Sequence, residues 1–179
     1  MEEEFIDACK DGDLQKVKEL LNKGVDPSVD DNSAIGLASR IGHTKIVKML
    51  LADPRVDAST KNNYAIGWAS ENGHVEIVKL LLQDQRVDPS ADDNYAIGLA
   101  SENGHVEIVR MLMNDPRVDA SAYDNAEIRL ASLNGHTEIV KLLLADPRVD
   151  ASANDNRAIR LASENGHTKI VKLLIDWYI

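Results

Sequence analysis

Residues 65–82 read Ala65-Ile66-Gly67-Trp68-Ala69-Ser70-Glu71-Asn72-Gly73-His74-Val75-Glu76-Ile77-Val78-Lys79-Leu80-Leu81-Leu82, and this stretch decides the fold. Ile66, Ala69 and Ser70 stand at i, i+3 and i+4, so they share one face of a helix. Asn72-Gly73 ends that helix, because glycine enters left-handed backbone without steric cost. A second helix opens near His74 and Val75, and Ile77, Val78, Leu81 and Leu82 form one apolar stripe along it. Asp84 closes it. The residues that follow, Val87-Asp88-Pro89-Ser90-Ala91-Asp92-Asp93-Asn94, read as a turn-rich connector.

The same unit recurs along the chain. Gly-His stands at 42–43, 73–74, 104–105, 135–136 and 166–167, at intervals of 31 residues, with a weaker copy at Gly12-Asp13. Ala-Ile-x-x-Ala-Ser occupies 34–39, 65–70, 96–101 and 158–163, and the fifth copy departs only at its start, with Glu127-Ile128. Ile-Val-(Lys/Arg)-x-Leu occupies 46–50, 77–81, 108–112, 139–143 and 170–174. In most copies Asp-Pro stands where Asp84 does, a dipeptide that cannot continue a helix. One such unit cannot bury its apolar stripe alone, whereas stacked units cover one another. The expected fold is therefore all-α: a single helical-repeat solenoid over 1–179, with copies at about 4–33, 34–64, 65–95, 96–126, 127–157 and 158–179.

Composition limits the function. The 179-residue chain carries a formal net charge of -10 and is 4% aromatic. Charge is uneven: residues 1–33 net -6, residues 34–64 net +3, residues 65–126 net -7 and residues 127–179 zero. No segment is basic enough to track a phosphate backbone, so nucleic acid is not an expected partner. Nor is a membrane, because no apolar run approaches the length of a span. With Cys9 as the one cysteine, no intramolecular disulfide exists. The acidic start lacks the layout of a secretory signal, so the expected address is the cytoplasm, with the nucleus as an alternative.

The segments Ala-Ser-x-Asn-Gly-His, Ile-Val-Lys-x-Leu-Leu and Val-Asp resemble those of the ankyrin repeat family across about residues 4–179. The copies depart from that family by lacking Thr-Pro-Leu-His, where Tyr64-Ala65-Ile66-Gly67 and its equivalents stand, and by being about two residues shorter than the usual 33. The projecting hairpins of the family are thus expected to be short or lost. The resemblance implies a protein–protein recognition module, with partners held by the connector tips and the concave face of the first helices.

Groups that could carry chemistry follow the repeat. His43, His74, His105, His136 and His167 hold one position in successive copies. Packed helices lie about 8–10 Å apart, too far for shared zinc bonds of about 2 Å. Each histidine is expected to brace its inter-helix turn through hydrogen bonds to backbone. Asp88, Ser90 and Asp92 match the opening of a calcium loop, but Asp93 and Leu99 stand where its glycine and glutamate belong. Asx turns account for them instead. Cys9 holds the place of Ser39, Ser70 and Ser101. Neither a nucleophile–base arrangement nor a phosphate loop is present. No enzyme activity, metal or cofactor is expected.

What varies between copies points to a binding face. On the first helix, positions i, i+3 and i+7 carry Ser33, Gly36 and Arg40; then Tyr64, Gly67 and Glu71; then Tyr95, Gly98 and Glu102; then Ala126, Arg129 and Leu133; then Arg157, Arg160 and Glu164. Trp68 replaces a leucine found at 37, 99, 130 and 161. Tyr64, Trp68 and Tyr95 are expected to form an aromatic patch, and Arg129, Arg157 and Arg160 a basic one, with Tyr123 contributing from a connector. These are the residue types that anchor interfaces, and the glycines leave room beside the tyrosines. The opposing reading makes Trp68 partly core and the rest solvated surface.

The acidic first copy suits a solvent-facing cap. Leu173, Leu174, Ile175, Trp177 and Ile179 are apolar where the sequence stops. Either the natural protein continues, or Trp177 folds over the end, or two ends meet in a dimer. The expected function is an adaptor or scaffold. The alternatives are a structural, self-associating element and an inhibitor or regulator of another enzyme.

Overall fold

The computed structural model describes residues 1–178 and forms two compact units, Met1–Asp88 and Pro89–Ile179. Among the described residues all regular structure is helical. The first unit holds α1 (Glu2–Asp11), α2 (Leu14–Asn22), α3 (Val29–Ile41), α4 (Thr44–Leu51), α5 (Thr60–Glu71) and α6 (Val75–Leu82). The second holds α7 (Ala91–Glu102), α8 (Val106–Met113), α9 (Ala122–Leu133), α10 (Thr137–Leu144), α11 (Ala153–Glu164) and α12 (Thr168–Trp177). None of these helices is long and apolar enough to cross a membrane.

In each unit the helices pair and stack as the sequence predicts. In the first, α1 packs on α3 and α3 on α5, while α2 meets α4 and α4 meets α6; in the second, α7 packs on α9 and α9 on α11. Ile66, Ala69 and Ser70 are buried, as are Ile77, Val78 and Leu81, with Leu82 half-buried at the edge of the stripe. Gly42 closes α3 with φ 98°. A Cβ added there would also lie 2.6 Å from Cε1 of His74, so glycine is required for space as well as for backbone.

The connectors lack the family's projecting hairpins, as expected, and what replaces them is the new feature. No strand forms among the described residues. Directly after their first residue, α3, α5, α7, α9 and α11 each carry three left-handed residues: Asp30-Asp31-Asn32, Lys61-Asn62-Asn63, Asp92-Asp93-Asn94, Tyr123-Asp124-Asn125 and Asn154-Asp155-Asn156. Left-handed backbone costs a side-chain-bearing residue about 1–2 kcal/mol, and Asn and Asp tolerate it best. The third residue is asparagine every time, and its N–H donates to the serine carbonyl four residues earlier, as from Asn94 to Ser90 at 2.9 Å. Aspartate Asx turns lead in: Asp57 Oδ1 accepts from the Ser59 N–H at 2.9 Å and Asp119 Oδ1 from the Ser121 N–H at 3.0 Å.

Three kinds of side-chain bond then tie copies to their neighbours within a unit. Asn32 Oδ1 accepts from the Asp57 N–H at 2.8 Å, and Asn63, Asn94 and Asn125 do likewise for Asp88, Asp119 and Asp150. Arg86 grips Asp84 through Nε and Nη2 and donates Nη1 to the Val56 carbonyl at 2.5 Å; Arg148 does the same with Asp146 and Val118. Nε2 of His74 meets the Arg40 carbonyl at 3.0 Å, and those of His43, His136 and His167 meet the carbonyls of Lys10, Glu102 and Leu133. The histidines thus bond to backbone as expected, but of the preceding copy, where the last turn of a first helix leaves carbonyls unpaired.

At α12, the Tyr178 hydroxyl donates to Asn156 Oδ1, filling the acceptor that a following copy satisfies elsewhere. The Trp177 ring lies edge-on to Tyr178, with centroids 5.3 Å apart, and is 39% exposed. Ile179, part of the expected apolar end, lies outside the described residues.

Candidate binding surfaces

The first unit builds its candidate site around Trp68. A leucine at this point of the other copies leaves room that the indole fills. Its Cζ3 comes within 2.9 Å of a Cβ built on Gly36, so the ring lies against backbone that a larger residue would block. The Tyr64 ring sits 5.3 Å from the Trp68 ring at 44°. The Arg40 guanidinium lies 5.8 Å from the indole centroid, within cation–π range. A cavity of about 240 Å³ opens beside these rings, lined also by Asp30, Lys61 and Ala58. Trp68 and Tyr64 are half-buried and Arg40 is exposed. The platform is therefore neither core nor loose surface: its rings hold one another while one face stays open.

The space expected beside the glycines is realised at one position and not at another. Trp68 occupies the space at Gly36, whereas a Cβ on Gly98 would meet nothing within 4 Å. Glu71, the remaining candidate of this unit, is half-buried at the end of α5.

In the second unit, Tyr95, Glu102 and Tyr123 line one cavity of about 280 Å³ between α7 and α9. The aromatic residues expected in a single patch therefore fall in two units, Tyr64 and Trp68 in the first and Tyr95 in the second. Tyr123 is 73% exposed and stands in left-handed backbone at φ 51°. The expected basic patch is divided in role. Arg129 is half-buried and donates Nη2 to the Tyr123 carbonyl at 2.9 Å; Arg160 is exposed and reaches the Asn154 carbonyl at 3.5 Å. Arg157 and Glu164 are exposed, and Leu133 is half-buried.

Sequence reasoning passed over Glu127. It occupies the buried position of Ala34, Ala65, Ala96 and Ala158, is 1% exposed, and lines the cavity of the second unit. Its Oε2 has no hydrogen-bond partner. Burial pushes its carboxyl up to about 8; a hydrogen bond to its own backbone pulls the other way, and Asp119 adds a smaller push and Arg129 a smaller pull. The available signal was a carboxylate in a column of alanines.

Among the described residues no group of three or more His, Cys, Asp or Glu is placed to hold a metal ion. Cys9 is fully buried and burial pushes its thiol up to about 12, the opposite of an activated nucleophile.

The family model described as ankyrin repeats (3 copies) matches residues 5–93, 37–124, 66–155 and 97–179. A search of curated proteins gives no match. Paired helices, glycine–histidine corners and family matches that together run from residue 5 to residue 179 lead to one conclusion: the chain belongs to the ankyrin repeat family.

Proposed function

We propose that this chain is an adaptor or scaffold that binds a protein partner on the open face of its first-of-pair helices. Ankyrin repeats are in general protein–protein interaction modules and typically not enzymes. The observation that carries the reading is the Trp68 platform. A half-open indole, a tyrosine and an arginine held together are the residue types and the partial burial of an interface anchor. The address of this reading is the cytoplasm or the nucleus, and the lone, buried Cys9 calls for no oxidising compartment.

The test is capture from a lysate of the native host on the immobilised chain. Trp68→Ala and Tyr64→Ala are compared with Lys48→Ala and Lys79→Ala, at exposed positions on α4 and α6. A protein retained by the wild type and the lysine variants but lost with the ring variants supports the reading. Equal capture by all of them contradicts it.

Self-association is a second reading, favoured by Ile175 and Trp177, which are 47% and 39% exposed on α12. Sedimentation velocity over a range of concentrations tests it. A mass that rises with concentration, and falls back with Trp177→Glu, supports self-association; a constant monomer mass contradicts it.

A further inference from the structure

The cavity between α7 and α9 contains a feature that the fold does not need. Four other copies place alanine where Glu127 stands, and all four alanines are buried. Alanine is therefore sufficient to build the repeat. A buried carboxyl with an unpartnered Oε2 disfavours folding unless something meets it.

The surroundings define what would meet it. Asp92, Asp93 and Glu102 line the same cavity, and no lysine or arginine does. Tyr95 and Tyr123 supply aromatic walls. Gly98 leaves open space, with nothing within 4 Å of an added Cβ. The neighbouring cation, Arg129, has Nη2 turned to the Tyr123 carbonyl. Four carboxyls disfavour an anion, and a purely apolar group would leave Oε2 unmet. A cation on an aliphatic stem satisfies both the charge and the walls.

We infer that this cavity receives a lysine or arginine side chain of the protein partner, with Glu127 as its buried counter-ion and Tyr95 and Tyr123 against its stem. The inference rests on the protein-binding reading above and adds the chemistry of the partner. The carboxyl, held largely protonated near neutral pH by burial and by Asp119, gives its proton to solvent as the cation arrives. Asp119, ahead of α9, holds the proton on and Arg129 on α9 pulls it off, while Asp92, Asp93 and Glu102 on α7 are the other charged groups that line the cavity.

The full chain is titrated with Nα-acetyl-arginine amide and Nα-acetyl-lysine amide, and with the uncharged Nα-acetyl-citrulline amide and Nα-acetyl-norleucine amide. The carbon-13 signal of the Glu127 carboxyl and the ring signals of Tyr95 and Tyr123 are read by NMR. The cationic probes are expected to move these signals and to lower the titration midpoint of Glu127, while the uncharged ones leave them in place. Glu127→Ala, which matches the other copies and so keeps the fold, is expected to bind the cationic probes about tenfold more weakly or worse, judged by the tyrosine signals. Glu127→Gln, of the same shape, is expected to behave like it. Equal response to charged and uncharged probes, or undiminished binding by Glu127→Ala, overturns the inference. Failure of the probes alongside intact capture by the Trp68 face overturns this inference alone. Loss of that face-dependent capture overturns the reading beneath it.

Discussion

Asn94 Oδ1 accepts the backbone N–H of Asp119 at 2.9 Å across 25 residues of sequence, while its own backbone is left-handed at φ 63°. One residue thus closes a strained turn and fastens the copy that follows. Asn94→Ala removes the acceptor, leaves the Asp119 N–H unmet and puts a Cβ without side-chain help in left-handed backbone. Loss of about 2–4 kcal/mol is expected, from about 1–3 for the unmet donor and the remainder from backbone. Asn156→Ala, where the partner is only the exposed Tyr178 hydroxyl, is expected to lose less than half as much. Urea unfolding of both variants checks the ranking.

Glu127 makes the fold less stable as pH rises. Its folded carboxyl is raised from the ordinary 4.5 to about 8. The folded state therefore holds the proton that the unfolded state releases. Stability from this group is fully present below 4.5 and is lost as pH rises toward and through about 8. At about 1.4 kcal/mol for every pH step between those two values, the loss amounts to several kcal/mol. Glu127→Ala is expected to gain stability over wild type progressively across this range, most of it near pH 8. A stability difference that stays flat with pH, measured by urea midpoints, contradicts the assignment.

His136 and Gly104 form an inter-copy joint. The imidazole reaches the Glu102 carbonyl at 2.8 Å, and a Cβ on Gly104 would lie 2.7 Å from its Cε1. Gly104→Ala meets both that collision and a φ of +82°. It is expected to cost about 2–4 kcal/mol, more than His136→Ala at about 1–3. Thermal unfolding of the two variants gives the order.

Tyr123 carries an unfavourable backbone that the other copies give to Asp30, Lys61, Asp92 and Asn154. Tyr123→Asn is expected to stabilise by about 0.5–1 kcal/mol, because asparagine tolerates left-handed backbone better than an aromatic residue. If the tyrosine is kept for recognition, the same change weakens binding while it strengthens the fold, a separation read by calorimetry and urea unfolding together.

Much of the fold was legible because repetition exposes it. Ile66, Ala69 and Ser70 announced a buried face, and Ile77, Val78 and Leu81 its partner. The loss of strands followed from the short connector, but the left-handed turn that replaces them did not, since Asx-rich sequences serve many turn types. The histidine column signalled a backbone bond without naming the carbonyl, because a bond to the copy before and a bond within the copy fit the same spacing. Trp68 was found by its departure from leucine. Glu127 departs from alanine just as plainly, yet carboxylates are so common in this chain that only burial marks it.

Recognition of a partner on the open face of the first helices is tested most sharply by site-specific photo-crosslinking, with a photoreactive residue replacing Tyr64 in one variant and Lys79 in another. The Tyr64 position is predicted to yield a covalent adduct with a host protein, and the Lys79 position none. An adduct formed from Lys79 and not from Tyr64 would contradict that placement.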